Sequence, residues 1–173
     1  MPEIARTNTV LHQAGAIAYR VDHGRVEILL ITSRDTGRWI IPKGNIGAAA
    51  TPASAATKEA YEEAGIRGTI TSSTPLGFYT YFKRLSLERT LATTVEVYTL
   101  LVTKQLKNWP EKGERKLAWL SAEEAIEMID EPGMTPLLRR FAEVQDLLGN
   151  AATVRPAESV SPPHRTKEVR RGR

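Results

Sequence analysis

Apolar residues between positions 14 and 120 come in short blocks separated by turn formers, with one longer helical stretch among them. Ala14 to Arg20 and Val26 to Ser33 read as two strands joined by a turn at Asp22-His23-Gly24. The second block, Val26-Glu27-Ile28-Leu29-Leu30-Ile31-Thr32, is almost continuously aliphatic, as a buried strand requires. Arg38 to Ile41 is a short extended piece stopped by Pro42, and residues 44–51 read as a loop containing Gly and Ala. A helix follows with punctuation at both ends. Thr51 suits the N-cap, Pro52 the first helical position and Gly65 the C′ position.

Further strands are predicted near 67–72, 76–82, 91–103 and 117–120. Ser121 with Glu124 forms a capping box that opens a second helix to about Ile129. Pro132-Gly133 breaks it, and Thr135 to Leu148 reads as a third helix with apolar Leu137, Leu138, Phe141, Val144 and Leu148. After Gly149 the chain turns to Pro, Ser and Arg with few large apolar residues. The composition therefore predicts one domain over 1–149 and a disordered basic tail over 150–173. There is no internal repeat.

Composition narrows the chemistry. At 173 residues, 41% hydrophobic and 25% charged, the chain has the make-up of a soluble domain with a core of its own. No apolar run reaches the length of a membrane span. Met1 to Gly15 lacks a continuous apolar signal core, so a cytoplasmic location is expected. Cysteine is absent, which excludes disulfides, thiolate metal sites and a cysteine nucleophile. The three histidines, His12, His23 and His164, are scattered. Any metal must then be held mainly by oxygen, which favours magnesium or manganese. The net charge of +4 resides in residues 151–173, while residues 1–150 balance at 18 basic against 18 acidic. The high isoelectric point describes the tail rather than a nucleic-acid-binding domain.

The informative segment is Gly44 to Ile66, GNIGAAATPASAATKEAYEEAGI. Within its helix Glu59, Glu62 and Glu63 stand at i, i+3 and i+4, crowding three carboxylates within about one turn. Like charges so placed repel unless a cation neutralises them, and carboxylate oxygens are the ligands magnesium prefers. On spacing alone a solvated acidic helix face is the commoner origin of such a cluster. The neighbouring residues overturn that reading. The segment resembles the Nudix box: Gly, five residues, Glu, seven residues, Arg-Glu, an apolar residue, any residue, Glu-Glu, any residue, Gly, an apolar residue. Gly44, Glu59, Glu62, Glu63, Gly65 and Ile66 match across the full 23-residue spacing. Two positions depart from it. Ala50 stands where the box has Glu, and Lys58 where it has Arg. In the family that pair supports loop–helix packing, so the departure bears on catalytic efficiency more than on fold.

The resemblance extends over roughly residues 13–129 and is strongest to the diphosphoinositol polyphosphate phosphohydrolase branch and its bacterial relatives. It implies an α/β fold, the Nudix fold, with a mixed β-sheet sandwiched between helices as an α/β/α sandwich. It implies Mg²⁺, with Mn²⁺ as a substitute, held by Glu59, Glu62, Glu63 and the backbone carbonyl of Lys43. The implied reaction is hydrolysis of a phosphoanhydride bond by water attack on phosphorus. The general base is a box glutamate or an acidic group on a later loop. Glu111 ranks first, ahead of Glu114 and Glu96. Arg20, Ser33, Arg34, Arg38, Lys43, Gly44, Arg115 and Lys116 fall at positions near the substrate phosphates, and their cations read as a rim facing a polyphosphate. Trp39, Trp109 and Trp119 read as core or loop anchors.

The expected partner is a small polyphosphorylated molecule, a dinucleoside polyphosphate or diphosphoinositol polyphosphate. A Nudix-fold module that senses a nucleotide without cutting it is the alternative from another class. An RNA-end pyrophosphohydrolase is a third reading, suggested by the basic tail alone.

Overall fold

The first two strands pair as the sequence predicts in the computed structural model, which describes residues 10–153. Strand β1 (Leu11–Asp22) turns through His23-Gly24 into β2 (Arg25–Thr32). The chain continues through β3 (Trp39–Ile40), β4 (Lys43–Asn45), α1 (Pro52–Ala64), β5 (Ile66–Ile70), β6 (Gly77–Arg84) and β7 (Thr90–Gln105). It closes with β8 (Leu117–Leu120), α2 (Ala122–Met128), a 3₁₀ turn at Pro132–Met134 and α3 (Thr135–Thr153).

All eight strands join one sheet. Its central path runs β3-β2-β1-β7-β5, with β4 added to β1, β6 to β7 and β8 to β2. The β1–β7 pair is parallel and the other pairs are antiparallel, so the sheet is mixed. Because side chains alternate across a strand, β1 feeds two cores. Ala14, Ala16 and Ala18 face α1, and Ile17 and Tyr19 face α3. Helix α1 therefore covers one side of the sheet, and α2 and α3 cover the other. This is the expected α/β/α sandwich.

Helix α1 has the ends read from the sequence. Thr51 Oγ1 accepts from the Ser54 N–H, Pro52 opens the helix, and Gly65 adopts the left-handed cap at φ 66°. The capping box at Ser121 and Glu124 is complete in both directions.

Beyond shifts of one to three residues at strand ends, two assignments differ from expectation. Residues 43–45 form β4 instead of loop, because β1 offers Gln13 to Gly15 as an antiparallel partner. A three-residue strand carrying a glycine has no alternation by which sequence could reveal it. Helix α3 passes its predicted end at Leu148 and reaches Thr153. Ala151 and Ala152 favour helix, and no proline follows until Pro156. The rest of the predicted tail lies outside the described residues. Among the described residues no helix is long and apolar enough to cross a membrane.

Candidate active site

The packing of α1 brings Glu59 and Glu63 to β4. Alanines 55, 56, 60 and 64 are buried against Ala14, Ala16 and Ala18 of β1, so the helix backbone lies close to the sheet. The approach is closest at Gly44, where a Cβ would stand 2.2 Å from the Glu59 carboxylate. That contact is a physical reason for glycine at the head of the box. Glu63 lies deeper. Its Oε2 accepts from the Lys43 N–H at 3.0 Å, and its Oε1 pairs with the Arg115 guanidinium.

Arg115 ties this helix to the loop before β8. Its Nε donates to Glu111 Oε2 at 3.1 Å and a terminal nitrogen donates to the Thr32 carbonyl at 3.0 Å. Arg34 reaches the same loop, pairing with Glu111 at 3.1 Å and Glu114 at 3.2 Å. Glu59, Glu63 and Glu111 thus line one cavity of about 500 Å³ with Ser33, Arg34, Arg38, Lys43, Gly44 and Arg115.

The carboxylates feel one another. Burial, reinforced by Glu59 and Glu111, pushes the Glu63 carboxyl up to about 7 although Arg115 and the Lys43 N–H pull it down. Burial likewise raises Glu59, with Glu62 and Glu111 adding to it. Among the described residues no three acidic or histidine side chains converge on one point as a finished metal cage. The oxygen-only donors and their mutual repulsion nevertheless fit a hard divalent cation, and the Arg115 guanidinium already offsets part of the charge of Glu63 and Glu111.

Several expected positions fall elsewhere. Glu62 does not line the cavity. Its carboxylate takes the Lys58 ammonium at 3.0 Å on the outer face of the helix. Adjacent helical residues point about 100° apart, so with Glu63 turned inward Glu62 turns away. Lys58 is exposed and spends its charge on Glu62.

Arg20 lies outside the cavity, bound to Glu27 at 2.7 Å with its guanidinium 4.2 Å from the Trp119 ring centre. Lys116 lies outside it too, its backbone paired with Thr32. Lys43 is no rim cation. Its ammonium is buried on Glu131, and burial lowers its pKa against the pull of that carboxylate. Glu96 accepts from the Tyr98 hydroxyl and does not line the cavity. Trp109 anchors the loop before β8 against Gly65, where a Cβ would meet its ring at 2.4 Å.

Sequence reasoning missed Gln13, Tyr81, Lys83, Arg84 and Glu131, which also line the cavity. For Tyr81 and Lys83 a signal existed. Tyr79, Tyr81 and Lys83 alternate with the exposed Phe78, Thr80 and Phe82 along β6, which marks one inward face. Tyr81 thereby adds an aromatic ring to a lining that is otherwise largely charged and polar.

The domain thus sets an acidic helix across a cavity from cationic side chains, on a mixed sheet between helices. The NUDIX domain model matches residues 11–141, and the chain belongs to the Nudix family. It is 31% identical over 132 residues to Nudix hydrolase 12, mitochondrial, of Arabidopsis thaliana, a match covering 70% of this chain and 61% of that protein. It is 31% identical over 119 residues to human diphosphoinositol polyphosphate phosphohydrolase 3-beta, covering 68% of each. The crystal structure of an Ap4A hydrolase from C. elegans superposes with a TM-score of 0.58 at 25% identity, covering 79% of this chain and 99% of that one.

Proposed function

We propose that this chain is a divalent-metal-dependent hydrolase of phosphoanhydride bonds, acting on nucleoside- or inositol-polyphosphate-type substrates by water attack on phosphorus. The observation that carries the reading is the meeting of Glu59, Glu63 and Glu111 with Arg34, Arg38 and Arg115 around one cavity. Glu59, Glu63 and the Lys43 carbonyl hold Mg²⁺, or Mn²⁺ in its place, and Glu62 tunes the charge from outside. When bound, the ion supplies Lewis-acid activation of the phosphorus and neutralises substrate charge.

Glu111 faces the cavity from the loop before β8 and takes the proton of the attacking water. Arg34 and Arg38, with Lys83 and Arg84 of β6, offset the phosphate charges. That many cations exceeds what one diphosphate needs, so substrates with several phosphates are favoured. The names of the human and C. elegans relatives agree with this class.

Phosphate release from diadenosine polyphosphates, diphosphoinositols and ADP-ribose in Mg²⁺ tests the proposal. Glu63→Gln should lower turnover about 10²-fold or more, on the scale of losing a key electrostatic stabiliser. Arg38→Ala, and added salt, should raise KM for the polyphosphates more than for ADP-ribose. Wild-type turnover in the Glu63 variant would overturn the metal assignment. ADP-ribose as best substrate, indifferent to Arg38, would overturn the substrate class.

A further inference from the structure

Lys43 and Glu131 form the most buried ion pair among the described residues, with side chains 6% and 2% exposed, and the proposed hydrolysis does not use it. Lys43 Nζ donates to both oxygens of Glu131, at 2.9 and 3.1 Å. The Tyr79 hydroxyl donates to Glu131 Oε2 at 2.6 Å, and the Tyr81 ring centre lies 4.8 Å from the same ammonium. Every oxygen of Glu131 is committed inside the protein. Its neighbour Asp130 grips the other end of the same segment. The Asp130 carboxylate accepts from the Trp39 N–H at 2.6 Å, and the Asp130 N–H donates to the Trp39 carbonyl at 2.9 Å. Two consecutive residues after α2 thus hold both ends of residues 39–43 in place.

Lys43 has two arms. Its side chain ends on Glu131, and its backbone N–H ends on Glu63 Oε2. The ammonium is therefore the far anchor of the peptide unit that orients a box carboxylate.

We propose that Glu131 is a positioning residue for the hydrolysis: through Lys43 it fixes the backbone donor that aims Glu63 into the cavity. The inference rests on the reading of Glu63 as a metal ligand. Groups that orient a ligand in this way are typically worth about 10–100-fold in metal affinity when removed. A buried ion pair also has a purely structural role open to it, in which an apolar pair of similar volume replaces it without loss. The two roles differ in what such a pair restores. Apolar contact refills the space but has no direction, so it does not hold the Lys43 peptide to one orientation.

The test uses the full chain as wild type, Glu63→Gln, Glu131→Gln and the double variant Lys43→Met/Glu131→Leu. Mn²⁺ affinity is measured by calorimetric titration, the thermal midpoint without metal, and turnover with its KM. Glu131→Gln should weaken Mn²⁺ binding roughly tenfold and lower kcat with little change in KM. The double variant, which leaves the Tyr79 hydroxyl unpaired, should recover most of the thermal midpoint but not the Mn²⁺ affinity. Wild-type Mn²⁺ affinity in either Glu131 variant, beside a loss in Glu63→Gln, would overturn the positioning role alone. Unchanged Mn²⁺ affinity in Glu63→Gln would overturn the metal reading beneath it. Should Glu131→Gln fail to fold, the double variant still decides, because its packing is restored.

Discussion

The central strand β1 meets the helices on its two faces with residues of different size. Against α1, the sheet offers Ala14, Ala16 and Ala18 of β1, with Leu29, Ile31, Tyr98 and Leu100 in the same cluster, and the helix answers with Ala55, Ala56, Ala60 and Ala64. Against α3, it offers Ile17, Tyr19, Ile28 and Leu30, met by Met134, Leu137, Leu138 and Phe141. Small residues bury little area, so the alanine seam under α1 contributes modestly to stability per residue. Large ones contribute about 1.5–3 kcal/mol each when fully buried. The α1 face gains closeness in return. Only a helix lying low on the sheet lets Glu59 reach Gly44 and Glu63 reach the Lys43 N–H. The alanine seam sets the geometry of the site while large side chains on both faces supply stability, and Glu131, reaching from the α3 side to Lys43, links the two faces.

The sharpest way to break this contrast is to damage the α3 face alone. Phe141 is 1% exposed and meets Tyr19 edge-on at 5.0 Å between ring centres. Phe141→Ala should cost about 3–5 kcal/mol in a denaturant melt, while the protein that remains folded keeps its Mn²⁺ affinity. A matching loss of affinity would show that the faces are not separable.

The converse change overfills the other face. Ala60 is fully buried, and Leu is nearly as good a helix former, so Ala60→Leu tests packing rather than propensity. It should cost about 1–3 kcal/mol, less than the Phe141 change, yet lift α1 and weaken Mn²⁺ binding as well. Retained affinity would mean the close approach of the helix is dispensable.

A smaller effect follows from the carboxylate that α1 buries. The fold holds Glu63 near 7 against an ordinary 4.5, so the folded state binds this proton more tightly than the unfolded chain does. Its contribution is fully present below about 4.5 and is lost as pH rises through about 7. Metal-free thermal melts should therefore decline across that window, and Glu63→Gln should flatten the decline. A slope unchanged by the substitution would assign it to other groups.

The least effect is expected at Lys58, where the box departs from its usual arginine. Its ammonium is exposed and paired only along the helix with Glu62. Lys58→Ala should leave both the thermal midpoint and turnover within experimental scatter. A marked fall in either would give this position the supporting role that its exposure argues against.

Local spacing determined much of this protein. The start and stop of α1 follow from Thr51, Pro52 and Gly65, and the capping box from Ser121 and Glu124. The glutamates at i, i+3 and i+4 imply a carboxylate cluster by their spacing on a helix. These features are fixed by residues within one or two helical turns, so sequence order alone contains them. Tertiary structure decided the rest. Periodicity places Glu59, Glu62 and Glu63 on a helix but cannot say which edge of that arc turns to the sheet, and the alanine face turned Glu62 out. β4 exists because β1 offers it a partner. The expected ring of free cations became a set of pairs, with Arg20 on Glu27, Lys43 on Glu131 and Arg115 on Glu63 and Glu111. A charge is neutralised by whatever lies within a few ångströms of it. For Lys43 that neighbour is 88 residues away along the chain, a distance across which only the folded sheet can carry the choice.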